Sequence, residues 1–266
     1  MAKQKQGPGT AVVSWDKELA EQAQAAAKVV EGIGVGQFFG TRGGMLTWAG
    51  NPVPGSQMGC VVAAGVLEHA FYEGDFNPDA PASPVCFAFG LDESEMAPHE
   101  KSAKPQAESC HVCPNNVFGS ADKGKGKACK NMMRLALLPA GTFTAAGVFE
   151  LDEDPSHYQT ASPGYFRVSV TSVKGYAAYV NQLKDTLRRP PHGVVTKVKV
   201  QPDAKTQLRT SFELLLSLPD ELMPAVMARH KELAGSIDFP YLAASEAPAA
   251  PGKGGTKGGT KDKKKY

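Results

Sequence analysis

Cys110-His-Val-Cys113 sets two thiols two residues apart, and Cys129 follows after fifteen more residues. The two-residue spacing lets both sulfurs turn onto one metal ion, and the third cysteine then pins both ends of the intervening loop to one point. Any fold open to this chain has to bring those ends together. Zinc (Zn2+) takes four ligands in a closed tetrahedral structural site. Cys86, on an apolar stretch upstream, can supply the fourth, with His99 and His111 as rivals. His111 ranks lowest, because inside the two-cysteine turn its side chain tends to point away from the metal. Four thiolates would equally suit an iron-sulfur cluster. A catalytic zinc fits less well, since such sites keep a position open for water and favour histidine or carboxylate ligands. Cys60, inside an apolar run, reads as a small buried hydrophobe.

A chain of 266 residues can bury a core without metal or disulfides, and one or two domains are expected. Five cysteines are an odd number. No leader pattern and no membrane-length apolar window is evident, so the expectation is a cytoplasmic protein in which clustered thiols serve a metal. The net charge of +2 is unevenly spread. Residues 252–266 carry six lysines and one aspartate, which leaves about −3 on the remainder. Attraction for nucleic acid has to come from local patches and from that tail.

Residues 1–10 read as a disordered arm and residues 244–266 as a disordered basic tail. Ser14 caps an expected helix over 14–30. Strands are expected over 37–40, 45–48, 59–72, 85–90, 134–138, 165–171, 192–200 and 207–216. Two further helices are expected over 172–187 and from Pro219 to near Gly235. There is no alternating strand-helix series, so a doubly wound parallel sheet is not expected. The class is mainly β with helices (α+β). Short strands joined by glycine-rich turns suit an oligonucleotide-binding (OB) barrel over 11–243, carrying a zinc-stapled insertion at about 84–134.

Between the cysteines, Lys123, Lys125 and Lys127 alternate with glycines, and Lys130 and Arg134 follow without an intervening acid. Such a loop approaches phosphates closely, and pinning its ends lowers the entropy lost on binding. It is not a Walker loop, which needs Gly-Lys-Ser/Thr and a following helix. Gly32-Ile-Gly-Val-Gly36 follows a helix and precedes a strand, the reverse of a dinucleotide fingerprint. Rings beside positive charge grip single strands. The candidates are Phe38, Phe39, Trp48, Tyr72, Tyr165 and Phe166 on expected strands, with Arg42 in the first turn.

Several segments together resemble a tailed-phage protein family regarded as single-stranded-DNA-binding or replication-associated. They are Phe38 through Gly43-Gly44 and Gly50-Asn-Pro, Tyr72-Glu-Gly, Pro84-Val-Cys86-Phe-Ala, and Cys110-x2-Cys-Pro-x-Asn-x-Phe-Gly-Ser with Gly-Lys-Gly-Lys-Ala-Cys129. The similarity spans about residues 35–240, and its specific part is the cysteine-lysine segment. The resemblance implies a zinc-bearing OB barrel that coats single strands during phage replication inside the infected host, alongside phage replication proteins. It also favours Cys86 as the fourth ligand. The chain departs from strand-coating proteins in ending Lys-Asp-Lys-Lys-Lys-Tyr instead of in an acidic tail, which argues against partner recruitment by the tail; a basic tail could add DNA affinity instead.

The expected function is therefore a non-enzymatic single-stranded-DNA-binding protein. An alternative is a zinc-stapled accessory module that binds a polymerase. A metal-dependent nuclease is less favoured, because the acids cluster in irregular stretches (92–100 and 150–154) without an acid-acid-lysine constellation.

Overall fold

The computed structural model describes residues 38–74 and 82–241, together with Gln22. The expected arm, the 14–30 helix and the basic tail lie outside the described residues. Eleven strands and three α-helices are described. They are β1 (Phe39–Gly40), β2 (Thr47–Trp48), β3 (Asn51–Pro52), β4 (Gln57–Phe71), β5 (Cys86–Gly90), β6 (Lys130–Pro139), β7 (Gly141–Phe143), β8 (Phe149–Leu151), α1 (Pro155–Thr160), β9 (Gly164–Val168), α2 (Val170–Leu187), β10 (Val194–Asp203), β11 (Gln207–Ser217) and α3 (Met223–Ala234).

The architecture is organised by β4, whose fifteen residues form a nearly unbroken apolar run. A run of that kind is stable only when both faces are covered. Its first residues pair with β10, most of its length pairs with β6, and its last five pair with β5, all antiparallel. Extended outward, the sheet runs β11-β10-β4-β6-β9, with β5 attached to the end of β4. A register shift between Val62 and Ala64 marks a bulge in the centre, which adds local twist.

On one face α2 packs Tyr176, Tyr179 and Leu183 against Cys60, Val62, Leu135, Leu137, Phe166 and Val198. On the other, α3 and its approach place Leu222, Ala225, Val226 and Leu233 against Val61, Ala63, Ala136, Leu138, Tyr165 and Val195. Each fully buried aliphatic or aromatic side chain of these sets contributes about 1.5–3 kcal/mol. The Tyr179 hydroxyl is satisfied inside the core by Thr196 Oγ1 at 2.7 Å. Cys60 is fully buried against the Thr196 carbonyl, and burial pushes its thiol up.

The mainly-β character with a few helices is as expected. The closed barrel is not: the sheet is open, and β11 and β9 do not pair. Closure would have required those two strands to meet. Instead, helices cover the apolar residues on both faces, leaving no exposed apolar face for the sheet to bury by curling. No helix among the described residues is long and apolar enough to cross a membrane. Also unanticipated are the β7–β8 hairpin and the six-residue α1, which starts at Pro155 with Asp154 accepting from the Ser156 amide.

Candidate metal centre and nucleic-acid interface

Antiparallel pairing at the far end of β4 sets the floor of the site. Cys86 pairs with Phe71, and Ala88 with His69. Paired residues share a face, so Cys86, Ala88, Phe71 and His69 all look to one side of the sheet. Residues 91–129 fold beneath that side. The Cys110 amide donates to the Met96 carbonyl at 2.9 Å, the Asn116 amide to the Cys113 carbonyl at 3.0 Å, and the Cys129 amide to the Asn115 carbonyl at 2.8 Å. Met96 itself is buried with Ala88 and Cys110.

This folding brings Cys86, Cys110, Cys113 and Cys129 to the wall of one cavity, shared with His69, Phe71 and Asn116. All four are buried and none is in a disulfide. Burial, reinforced by the neighbouring thiols, pushes Cys110 up to about 11 and Cys129 up to about 12. Burial also raises Cys86. The four sulfurs are thus close enough to feel one another's charge. Among the described residues no group of three or more His, Cys, Asp or Glu side chains stands in a ready-made metal-holding arrangement, so the thiols share a cavity and not a finished coordination sphere. As a donor set, four free sulfurs with no competing carboxylate suit a soft, tetrahedral cation.

The histidine rivals lie elsewhere. His99 stacks on Phe87 at 5.0 Å and its Nδ1 accepts from the Lys101 amide. His111 is exposed. Neither lines the cavity. His69 does, and it was not anticipated. It is 3% exposed, its Nδ1 has no partner, and its Nε2 lies 3.8 Å from Glu93. Burial lowers its pKa, against the opposing pull of Glu93. A lone histidine inside an apolar strand was the available signal.

From this cavity the loop emerges folded back on itself. Ser120 Oγ accepts from the Ala128 amide and lies within donating distance of the Val117 carbonyl (2.6 Å) and the Asn115 carbonyl (3.0 Å), while the Gly119 and Ala121 amides reach the Gly126 carbonyl. Gly119 and Gly124 take positive φ (90° and 85°) where the chain reverses, a conformation that glycine adopts without strain. Lys123, Lys125 and Lys130 are exposed. Lys127 is more constrained, donating to Asn116 Oδ1 at 3.0 Å, lying 3.7 Å from Glu93, and sitting 5.4 Å from the centroid of the Phe118 ring.

Phe118 is the residue that strand-centred reasoning missed. Its ring is 79% exposed, in the turn directly before the lysines. The strand aromatics behave otherwise. Phe38 packs on Tyr165 and Phe239, and Phe39 lies 4.4 Å from Trp48. Tyr165 and Phe166 are buried, whereas Tyr72 is 36% exposed and hydrogen-bonds Tyr241. The Arg42 turn lies against the β10–β11 hairpin, with Gly44 beside Pro202.

Arg134 does not join the lysines. It is 1% exposed, and its Nε donates to Glu68 Oε2 at 2.7 Å. Its Nη1 donates to the Ile237 and Phe239 carbonyls, and its guanidinium lies 4.3 Å from the Phe89 ring. Arg167 Nε reaches the other Glu68 oxygen at 2.8 Å, and the Tyr241 hydroxyl donates there as well. The reason is register. Arg134 lies across from Arg167 and Val66, two residues from Glu68 along β4, on the face covered by α3 and the 237–241 segment. Burial alone would raise the Glu68 carboxyl, but Arg167 and Arg134 together hold it below the ordinary carboxylate range. This ion cluster is an internal structural element.

Compared with known proteins, the chain matches no family model, no curated protein and no solved structure.

Proposed function

We propose that this protein binds single-stranded DNA through the 114–130 loop, and that Cys86, Cys110, Cys113 and Cys129 hold a structural zinc ion that fixes the loop's two ends. The observation that carries the reading is the exposed Phe118 ring set beside Lys127 and followed by exposed Lys123 and Lys125. A base can stack on such a ring while the lysines meet the adjoining phosphates, a combination that tolerates many sequences. The zinc would supply no chemistry to the strand. It would hold four thiolates and keep the loop in one shape. The resemblance to tailed-phage proteins supports a replication setting with other replication proteins as partners. It also supports binding as the activity, without catalysis.

Fluorescence anisotropy with labelled oligo(dT) across a salt series tests this. Affinity is expected to fall steeply with salt. Lys125→Ala is expected to flatten the logarithmic slope by about 0.7, the value for one phosphate contact on a single strand. Phe118→Ala should weaken binding by about 1–3 kcal/mol with little change in slope. Absence of binding at low salt would end the proposal.

Exposed Val112, Val117 and Phe118 favour one second reading, in which the loop docks on a polymerase or another replication protein. Pull-down of that partner after nuclease treatment, lost in Val117→Asp but kept in Lys125→Ala, would favour it.

A further inference from the structure

Away from the thiols, the start of α2 faces the end of the β10–β11 hairpin across a cleft of about 440 Å3. Thr171, Lys174 and Gly175 line it from the helix, and Lys205, Arg209 and Thr210 from the hairpin. Three cations therefore meet at one helix N-terminus. The single carboxylate among the lining residues, Asp203, is occupied within the turn, where it accepts from the Thr206 amide and hydroxyl and from the Lys205 amide at 2.8–2.9 Å. The cleft keeps a net positive charge.

The first amides of a helix have no intrahelical acceptor; here the N-cap side chain supplies none, and while the Ser172 amide turns back to the Ser169 carbonyl at 2.8 Å, those of Val170 and Thr171 lie ahead of it at the helix start. The Ser169 hydroxyl is directed to Thr171 Oγ1 at 3.1 Å and Ser172 Oγ at 3.2 Å instead. Thr210 adds an independent observation. It is 3% exposed, its amide donates to Ser172 Oγ at 3.1 Å, and its own hydroxyl has no partner. A buried hydroxyl is seldom left unpaired without a ligand or ordered water to satisfy it. Gly175 points the same way. It lies within α2 without positive φ, and a Cβ added there meets nothing within 4 Å. Neither backbone nor packing requires glycine at this costly helix position. The open space beside it leaves room for a ligand to approach.

We propose that this cleft is a binding site for the phosphate group of a nucleotide. The Thr210 hydroxyl and the Val170 and Thr171 amides at the start of α2 donate to the phosphate oxygens, and Lys174, Lys205 and Arg209 balance its charge. The cleft lies within the size range of small-molecule sites, so it has room for a nucleoside attached to the phosphate. The nucleotide is either free or part of a bound strand. The proposal is independent of the metal and of the 114–130 loop.

The test uses the full chain at low salt, titrated with inorganic phosphate, thymidine 5′-monophosphate and oligo(dT), with binding read by calorimetry and by amide shifts at Thr171, Ser172 and Gly175. At least one of these probes is expected to move those amides. Arg209→Ala and Thr210→Val are each expected to weaken that binding about tenfold. Gly175→Leu should block it while raising the thermal midpoint, because leucine is the better helix former and has room there. That combination separates lost binding from lost folding.

If phosphate and the mononucleotide bind and Arg209→Ala leaves oligo(dT) affinity unchanged, the ligand is a free nucleotide. If Arg209→Ala weakens oligo(dT) as well, the site holds a strand phosphate. The inference is overturned if none of the three probes shifts those amides, or if Thr210→Val and Gly175→Leu leave all three affinities unchanged. Phe118→Ala and Lys125→Ala report on the loop alone, so oligo(dT) binding that responds to them and not to the cleft variants would sink the cleft proposal and leave the loop reading standing.

Discussion

Cys110→Ser is expected to reduce the zinc content of the purified protein from about one equivalent to near zero and to release residues 91–129 from the sheet. Structural zinc contributes on the order of 10–16 kcal/mol in small zinc-finger peptides, more than many whole domains possess. The loss should nevertheless be local. The core that α2 and α3 build on β4 and β6 contains none of the four cysteines; Cys110 belongs instead to the small separate cluster with Met96 and Ala88. Hydrogen exchange should therefore lose protection at the Cys110, Asn116 and Cys129 amides, while the centres of β4 and β6 stay slow. Metal analysis across variants then assigns the ligands. Cys86→Ser should behave like Cys110→Ser, whereas Cys60→Ser and His99→Ala should keep the metal. Zinc retained in Cys86→Ser and lost in His99→Ala would move the fourth ligand. A visible chromophore with acid-labile sulfide would replace zinc by an iron-sulfur cluster.

Glu68→Gln is expected to cost about 3–5 kcal/mol in urea unfolding, the range for removing one partner of a buried ion pair. The glutamine amide fits the space but leaves Arg134, 1% exposed, without its counter-charge. Glu68 also carries a pH signature. Its folded carboxyl lies below the ordinary value of 4.5, so its contribution to stability is fully present above that value and is lost as pH falls through the folded pKa. Wild type should lose stability through that acid window more steeply than Glu68→Gln. A change under about 1 kcal/mol, with parallel pH profiles, would show that the cluster is not what couples β4, β6 and β9. Glu68→Leu combined with Arg134→Met and Arg167→Met should recover much of the loss, since apolar replacement of a complete buried ion cluster is often neutral or stabilising.

Much of the local structure was legible from residues alone. Strand expectations over 59–72, 85–90, 192–200 and 207–216 overlap β4, β5, β10 and β11, and the helix expected over 172–187 overlaps α2. These segments are long and strongly patterned, so local preference and burial agree. Short β3, the β7–β8 hairpin and α1 were not legible, because a few residues carry no period and owe their geometry to neighbours.

At the candidate site the division is similar. The Cys110-x2-Cys113 spacing with Cys129 marked three of the thiols from local chain geometry. That Cys86 shares their cavity depends on the antiparallel register of β5 on β4, a non-local fact. Lys125 is exposed because it lies on a tight, glycine-reversed loop, and Phe118 is exposed for the same reason. A ring in a sequence carries no sign of which way it faces. Arg134 shows the limit most plainly. Four residues after Lys130 it reads as a continuation of the basic run, but inside a sheet covered on both faces it becomes an interior cation bound to Glu68.

The sequence by itself therefore determined the mainly β class, the principal strands and helices, and a cysteine knuckle displaying a lysine-rich loop, because each follows from short-range periodicity, turn chemistry and spacing. Only the tertiary structure decided that the sheet stays open between two helical layers, that the fourth thiol joins the other three, that Arg134 is buried, and that three cations meet the start of α2 beside an unpaired threonine. Those outcomes depend on which distant strands pair and in what register, and on what then covers each face.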